Sequence, residues 1–205
     1  SMADSVMTAR LVVREIALER GVYATFMPKP LEGVQGSGMH THLSLFEGDA
    51  NVFHDPGQNH PLSETGQKFV AGLLHHAAEI TAVTNQTVNS YKRLVPGFEA
   101  PVHISWARNN RSGLIRVPIP KRDNPMATRI EYRSADPACN PYLAFSLMLA
   151  AGMRGVREGY ELPDEATTNV FELTDAERAA EGMDELPQSL AEGLPFGAGH
   201  YPDLK

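Results

Sequence analysis

Residues 92–133 read KRLVPGFEAPVHISWARNNRSGLIRVPIPKRDNPMATRIEYR, and this stretch decides the fold. It holds nine of the chain's eighteen Lys and Arg residues against three acids, Glu99, Asp123 and Glu131. The segment therefore carries about +6 inside a chain of formal net charge −7. Its charges sit among β-formers such as Ile115, Val117, Ile130 and Tyr132. Residues two apart in a strand project to the same face, so Arg129, Glu131 and Arg133 share one face and Ile130 and Tyr132 the other. A sheet face bearing several guanidiniums and a few carboxylates suits a polyanionic ligand accompanied by a metal.

Working outward, the preceding stretch GVQGSGMHTHLSLF, residues 33–46, places three glycines in six residues, which fits neither a helix nor an ordinary strand interior. The alternation from His40 to Leu45 then predicts a strand with His40, His42 and Ser44 on one face. Imidazoles on one strand and the Glu131 carboxylate on another form a usual partial ligand set for a divalent cation, although two histidines alternating on a half-exposed strand would look the same. The glycine loop matches neither a dinucleotide fingerprint nor a Walker loop, since no Gly-Lys-Ser/Thr follows. Glu99 is held between Pro96 and Pro101 and would, without context, be an ordinary solvated glutamate. The arginines are harder to dismiss, because acids are scarce around them.

Around this centre, residues 3–20 predict an amphipathic helix with Val6, Leu11, Val13, Ile16 and Ala17 on its apolar side, stopped at Gly21. A strand is expected at Tyr23–Met27, closed by Pro28 and Pro30. Residues 47–62 are turn-rich. Ser63 caps a long helix expected to reach about Asn89. Asn140-Pro141 opens a helix running to Tyr160 that is apolar nearly all round and hence expected to be buried. Thr174 to Glu177 forms a capping box for a short exposed helix. The stretch from Gly193 onward lacks periodicity. Cys139 is expected to be a small buried residue, not a nucleophile.

Bulk properties narrow the class. With 42% hydrophobic and 21% charged residues among 205, the chain has the make-up of an ordinary globular protein of one or two domains. No apolar run approaches the roughly 20 residues of a membrane span. A single cysteine excludes an intramolecular disulfide and fits a reducing cytosol, so a cytoplasmic location is expected. The acidic balance argues against a nucleic-acid partner. The N-terminus, SMADSVMTAR, has no signal-peptide pattern.

Six blocks of this sequence, in order, resemble the catalytic domain of type I glutamine synthetase. They are Ala24–Pro30 (ATFMPKP), Gly36–His40 (GSGMH), Asn89–Gly97 (NSYKRLVPG) with Glu99–Pro101, Asn110–Ser112 (NRS) with Ile115–Pro118 (IRVP), Arg129–Arg133 (RIEYR), and Asp136–Leu143 (DPACNPYL). The resemblance implies an α+β fold, a mainly antiparallel sheet flanked by helices with the active site on the sheet face. On this basis residues 1–195 are a partial catalytic domain and residues 196–205 an irregular C-terminal tail. It also implies ATP-dependent ligation of ammonia to the γ-carboxyl of glutamate through γ-glutamyl phosphate.

In that family the matching positions give His40 and Glu131 to a bridging metal, Mg²⁺ or Mn²⁺. His42 and Ser44 match nucleotide contacts, and Arg111, Arg116 and Arg129 match residues that stabilise the phosphoryl group in transfer. Gly36, Arg93 and Arg133 match glutamate-binding positions. Glu99 matches the flap glutamate that takes the proton from ammonium. Phosphoryl transfer relies on positioning and charge neutralisation, so such a cation-rich face is chemically coherent.

The chain departs from the family pattern in several places. The N-terminal β-grasp domain and the first part of the catalytic domain, with the remaining acidic metal ligands, find no match, and neither do the last helices. Inactivity in isolation, and a monomer or small oligomer in place of the family's stacked rings, are therefore expected. Met126 stands where relatives often carry a phosphate-contacting lysine. Phe171 stands where some bacterial members carry an adenylylated tyrosine, and it has no hydroxyl to modify. A γ-glutamyl ligase for a polyamine or an ethanolamine-like amine, and a non-catalytic ATP- or anion-binding protein, are the alternatives.

Overall fold

The computed structural model describes residues 1–57, 62–98, 100–109, 112–118, 124–168, 173–180 and 182–199. The basic segment does form strands: β4 (Trp106–Ala107), β5 (Ile115–Arg116) and β6 (Ile130–Tyr132). With β1 (Thr41–Leu43) they make one sheet in the order β1-β6-β5-β4. β6 pairs antiparallel with both β1 and β5, while β4 and β5 run parallel. Thr41, Tyr132, Ile115 and Trp106 line up across the sheet, and the adjacent row is His42, Glu131, Arg116 and Ala107. The period-2 rule thus sorts the residues into a core row and a polar row.

The core row packs under helices. Tyr132, Ile130 and Ile115 are fully buried in one cluster with Phe53, Phe69, Leu73, Ile80 and Met148. Phe69 and Leu73 come from α2 (Glu64–His75) and Met148 from α5 (Pro141–Glu158), which lies directly on α2. A hairpin of β2 (Phe46–Glu47) and β3 (Ala50–Asn51) leans on the turn before β6, where Asn51 Nδ2 donates to the Thr128 carbonyl over 2.8 Å.

α5 begins as its sequence dictates. The Asn140 side-chain oxygen accepts from the amides of Tyr142 and Leu143 at 3.0 and 3.3 Å, with proline at the first helical position. It ends at Gly159, whose φ of 71° is left-handed. Asn140→Ala removes the cap and is expected to lower stability by about 1 kcal/mol, measured as a shift of the urea midpoint.

Several expectations are corrected. Tyr23–Met27 forms no strand; it has no ladder partner, Tyr23 faces solvent, and the Phe26 ring instead lies beneath the Arg14 guanidinium. The long helix from Ser63 is three: α2, α3 (Ala77–Thr84) and α4 (Val88–Arg93). α3 ends because the Asn85 amide turns inward to the Ser134 carbonyl (2.8 Å) and Asp136 (3.1 Å). α4 then restarts with its own capping box between Thr87 and Ser90. α5 is buried on one face only, for Tyr142, Leu143 and Leu149 are about half exposed.

Helix α1 (Met2–Glu19) forms as expected and touches α5 near its start, where the Tyr142 hydroxyl donates to Asp4 (2.6 Å) and Arg10 donates to the Cys139 carbonyl (2.9 Å). Its apolar positions Leu11, Val13 and Ile16 nevertheless face solvent. The Thr174–Glu177 capping box opens α6 (Asp175–Ala180). α7 (Leu190–Gly199) is helical through residues expected to be an irregular tail, and residues 200–205 lie outside the described set. Among the described residues no helix is long and apolar enough to cross a membrane.

Candidate active site

The polar row of the sheet gathers side chains from three separate stretches. Glu131, 3% exposed, lies at its centre, directly across from His42 on β1 and from Arg116 on β5. Its Oε2 is 2.6 Å from an Arg116 terminal nitrogen, and its Oε1 is 3.5 Å from Arg133 and 2.8 Å from His40 Nδ1. One carboxylate therefore organises two arginines and a histidine. At one edge of this face, Arg129 Nε donates to His42 Nδ1 over 3.2 Å and its NH1 to the Ala127 carbonyl over 3.0 Å. Ser44, just past β1, donates to the Thr128 carbonyl over 3.0 Å.

The electrostatics follow from burial. Desolvation, then the Arg133 charge, hold His40 below the ordinary histidine range, outweighing the opposite pull of Glu131. His42 is lowered mainly by burial as well. With His40 neutral, its contact with Glu131 is a hydrogen bond from Nδ1–H to the carboxylate, which leaves Nε2 as the lone-pair nitrogen.

These residues fit a divalent cation in part. His40 presents a nitrogen oriented by a carboxylate. Glu131 Oε2 is buried and, despite its ion-pair distance to Arg116, accepts no well-directed hydrogen bond. Among the described residues no group of three or more His, Cys, Asp or Glu gathers to complete a ligand set. Arg116 Nε is likewise buried without a hydrogen-bond partner, a spare donor on a face suited to an anion.

Arg93 sits differently from the other arginines. It is 4% exposed, and its guanidinium donates to the carbonyls of Ser134 (2.6 Å), Ala135 (3.5 Å) and Arg133 (3.1 Å). Burial pushes its pKa down to about 10, with Asp136 acting in the opposite sense. The glycine loop packs on this side chain. A Cβ on Gly38 would come within 2.5 Å of the guanidinium, and one on Gly36 would collide with the Pro28 carbonyl and crowd Arg93 Cγ at 3.0 Å. The loop's glycines thus permit approach to Arg93.

Of the sequence-predicted residues, His40, His42, Arg116, Arg129, Glu131 and Arg133 converge on one face, with Ser44 at its margin. Gly36 and Arg93 lie behind the Arg133 backbone. Glu99 and Arg111, like Phe171, lie outside the described residues. Arg108, another cation of the basic segment, is spent on Glu165 at 2.6 Å. Sequence reasoning missed the layer beneath: the fully buried Asn85 and Asp136 and the Asn89 side chain. The available signals were a polar Asn85 continuing an apolar helical period and an Asp preceding a proline.

A model of the glutamine synthetase catalytic domain matches residues 1–195. The chain is similar to a glutamine synthetase of Mycobacterium tuberculosis, 57% identical over 194 residues, covering 95% of this chain and 44% of that protein. It is 52% identical to a glutamine synthetase of Methanosarcina mazei and 49% to one of Thermus thermophilus, each over 192 residues, 94% of this chain and 42% of the relative. The chain spans less than half the length of these curated relatives.

Proposed function

The chain belongs to the glutamine synthetase catalytic-domain family, and we propose that it contributes the cationic half of an active site that joins ammonia to the γ-carboxyl of glutamate at the expense of ATP. The observation that carries this is the convergence on one sheet face of His40, Arg116, Arg129, Glu131 and Arg133. The names of the relatives favour ammonia over a larger amine as acceptor.

Arg116 and Arg129 offer guanidinium donors to the equatorial oxygens of a phosphoryl group moving from ATP to glutamate. Arg133 neutralises a substrate carboxylate. Glu131 holds Arg116 and Arg133 at fixed separation before substrate arrives, so that little reorganisation is needed as charge shifts. His40 and Glu131 would hold Mg²⁺ or Mn²⁺, which when bound neutralises phosphate charge as a Lewis acid. His42, kept neutral and tethered by Arg129, borders the place where the nucleotide would lie. Glu99 would take the ammonium proton. The chain on its own is expected to lack most activity, because the described residues supply only two of the cation's ligands. In the complete protein, other chain segments and neighbouring copies of a homo-oligomer would complete the site.

The test is phosphate release from ATP with Mg²⁺, glutamate and ammonia, by a protein of the relatives' full length carrying these 205 residues, beside its Glu131→Gln variant. Release that needs glutamate and falls by about a hundredfold or more in the variant is the expected result. Release indifferent to glutamate, or untouched by the substitution, overturns the proposal. Faster turnover with a polyamine or ethanolamine than with ammonia would move the chain to the other amine class.

A further inference from the structure

Lys29 is fixed in a way that a solvated surface lysine is not. Prolines on both sides restrict its backbone. Its amide donates to Asn89 Oδ1 over 2.7 Å, and Asn89 Nδ2 returns a bond to its carbonyl over 2.9 Å, so α4 grips the Lys29 peptide from both ends. The side chain then reaches two other segments. Its ammonium donates to the Val34 carbonyl in the glycine loop and lies 3.7 Å from the centroid of the Phe98 ring. Phe98 is half-buried and follows Gly97, whose φ of 86° turns the chain. Residues 94–98 follow directly on α4, whose last residue, Arg93, carries the glycine loop packed on its side chain behind the site.

We propose that Lys29 is a positioning residue that fastens the loop 94–98 to the glycine loop at the edge of the active site. An ammonium over a ring is attractive even at an exposed site, and a hydrogen bond to a loop carbonyl aims it. Two stretches some sixty residues apart in sequence, 29–34 and 89–98, are thereby set relative to one another. Any consequence of this fastening for catalysis depends on the ligase proposal; the fastening itself does not.

Hydrogen–deuterium exchange on the 205-residue chain without substrate tests the fastening. Lys29→Met keeps the aliphatic stem and removes the charge, and Phe98→Leu keeps an apolar side chain and removes the ring. Each is expected to speed exchange of the Leu94, Val95, Gly97 and Phe98 amides by about fivefold, the scale of one cation–π contact. The double variant should be no faster than either single one, while Lys29→Arg stays near the parent. Unchanged rates, or effects of the two substitutions that multiply, overturn the proposal. Protection of the α5 amides reports whether each variant is folded; should one fail, the other compared with Lys29→Arg decides. Loss of the ligase proposal would show only in the phosphate-release assay, leaving these exchange rates as they are.

Discussion

Glu131→Gln is expected to cost the chain about 3 kcal/mol of folding stability, read as a fall in the urea midpoint at constant slope. The substitution preserves shape and volume, so the loss isolates charge and hydrogen-bond direction. Glu131 is almost wholly buried between Arg116 at 2.6 Å, Arg133 at 3.5 Å and His40 at 2.8 Å, all of which need an acceptor. Whichever way a glutamine amide is turned, its NH₂ faces another donor. Removing one partner of a buried ionic cluster leaves the opposite charges desolvated, at about 3–5 kcal/mol; the partial exposure of Arg116 puts the expected value at the lower end. Removing Arg116 as well, as Glu131→Met with Arg116→Met, should recover part of the loss, since fewer unpaired charges remain. A decrease below about 1 kcal/mol would show that solvent already screens the cluster. A separate readout reports the site: Glu131→Gln should weaken Mn²⁺ binding while leaving metal-free ATP as well bound or better, because the face becomes more cationic.

The sheet was legible because its information is local. The alternation around Glu131 places polar and apolar residues on opposite faces without knowledge of the neighbouring strands, and β5, β6 and β1 follow it. What was not legible depended on distant partners. The apolar period from Phe69 to Val88 runs through His76 and Asn85 with no proline or glycine at either break. Asn85 breaks the helix because its amide finds the Ser134 carbonyl and Asp136, some fifty residues away in sequence. Tyr23–Met27 is rich in β-formers, but a strand needs a ladder, and among the described residues none pairs with it. α1 and α5 show the same limit for helices: period identifies an apolar stripe but not whether anything covers it. For the site, residue type and spacing predicted an arginine face, and Arg116, Arg129 and Arg133 fulfil that. Spacing could not separate them from Arg93, whose donors are taken by backbone carbonyls of the segment after β6. Cys139 is buried as expected, its thiol pushed up to about 11 by desolvation, which keeps it protonated and unreactive.

Gly155→Ala should destabilise the chain by about 3 kcal/mol or prevent folding, although alanine is the better helix former by about 1 kcal/mol. The sign is decided by what the new methyl group meets. A Cβ at Gly155 would strike the Lys68 carbonyl oxygen on α2 and come within 2.6 Å of the Gly72 Cα. The reciprocal Cβ at Gly72 would meet the Ala151 carbonyl and come within 2.8 Å of the Gly155 nitrogen. These are backbone atoms, so no rotamer change relieves the overlap; the helices themselves must separate by a large part of a methyl diameter. Separation would loosen Phe69, Leu73 and Met148, which pack beneath the core row of the sheet. At Gly152 a methyl would instead press on the Phe69 ring, within 2.5 Å of its edge. A ring can tilt where a backbone cannot, so Gly152→Ala is expected to cost less, about 1–2 kcal/mol. Thermal and urea unfolding of both variants should rank Gly155→Ala below Gly152→Ala, and both below the parent. A Gly155→Ala chain as stable as the parent would mean that α2 and α5 are not held at backbone contact, and that the sheet carrying Glu131 does not depend on that spacing.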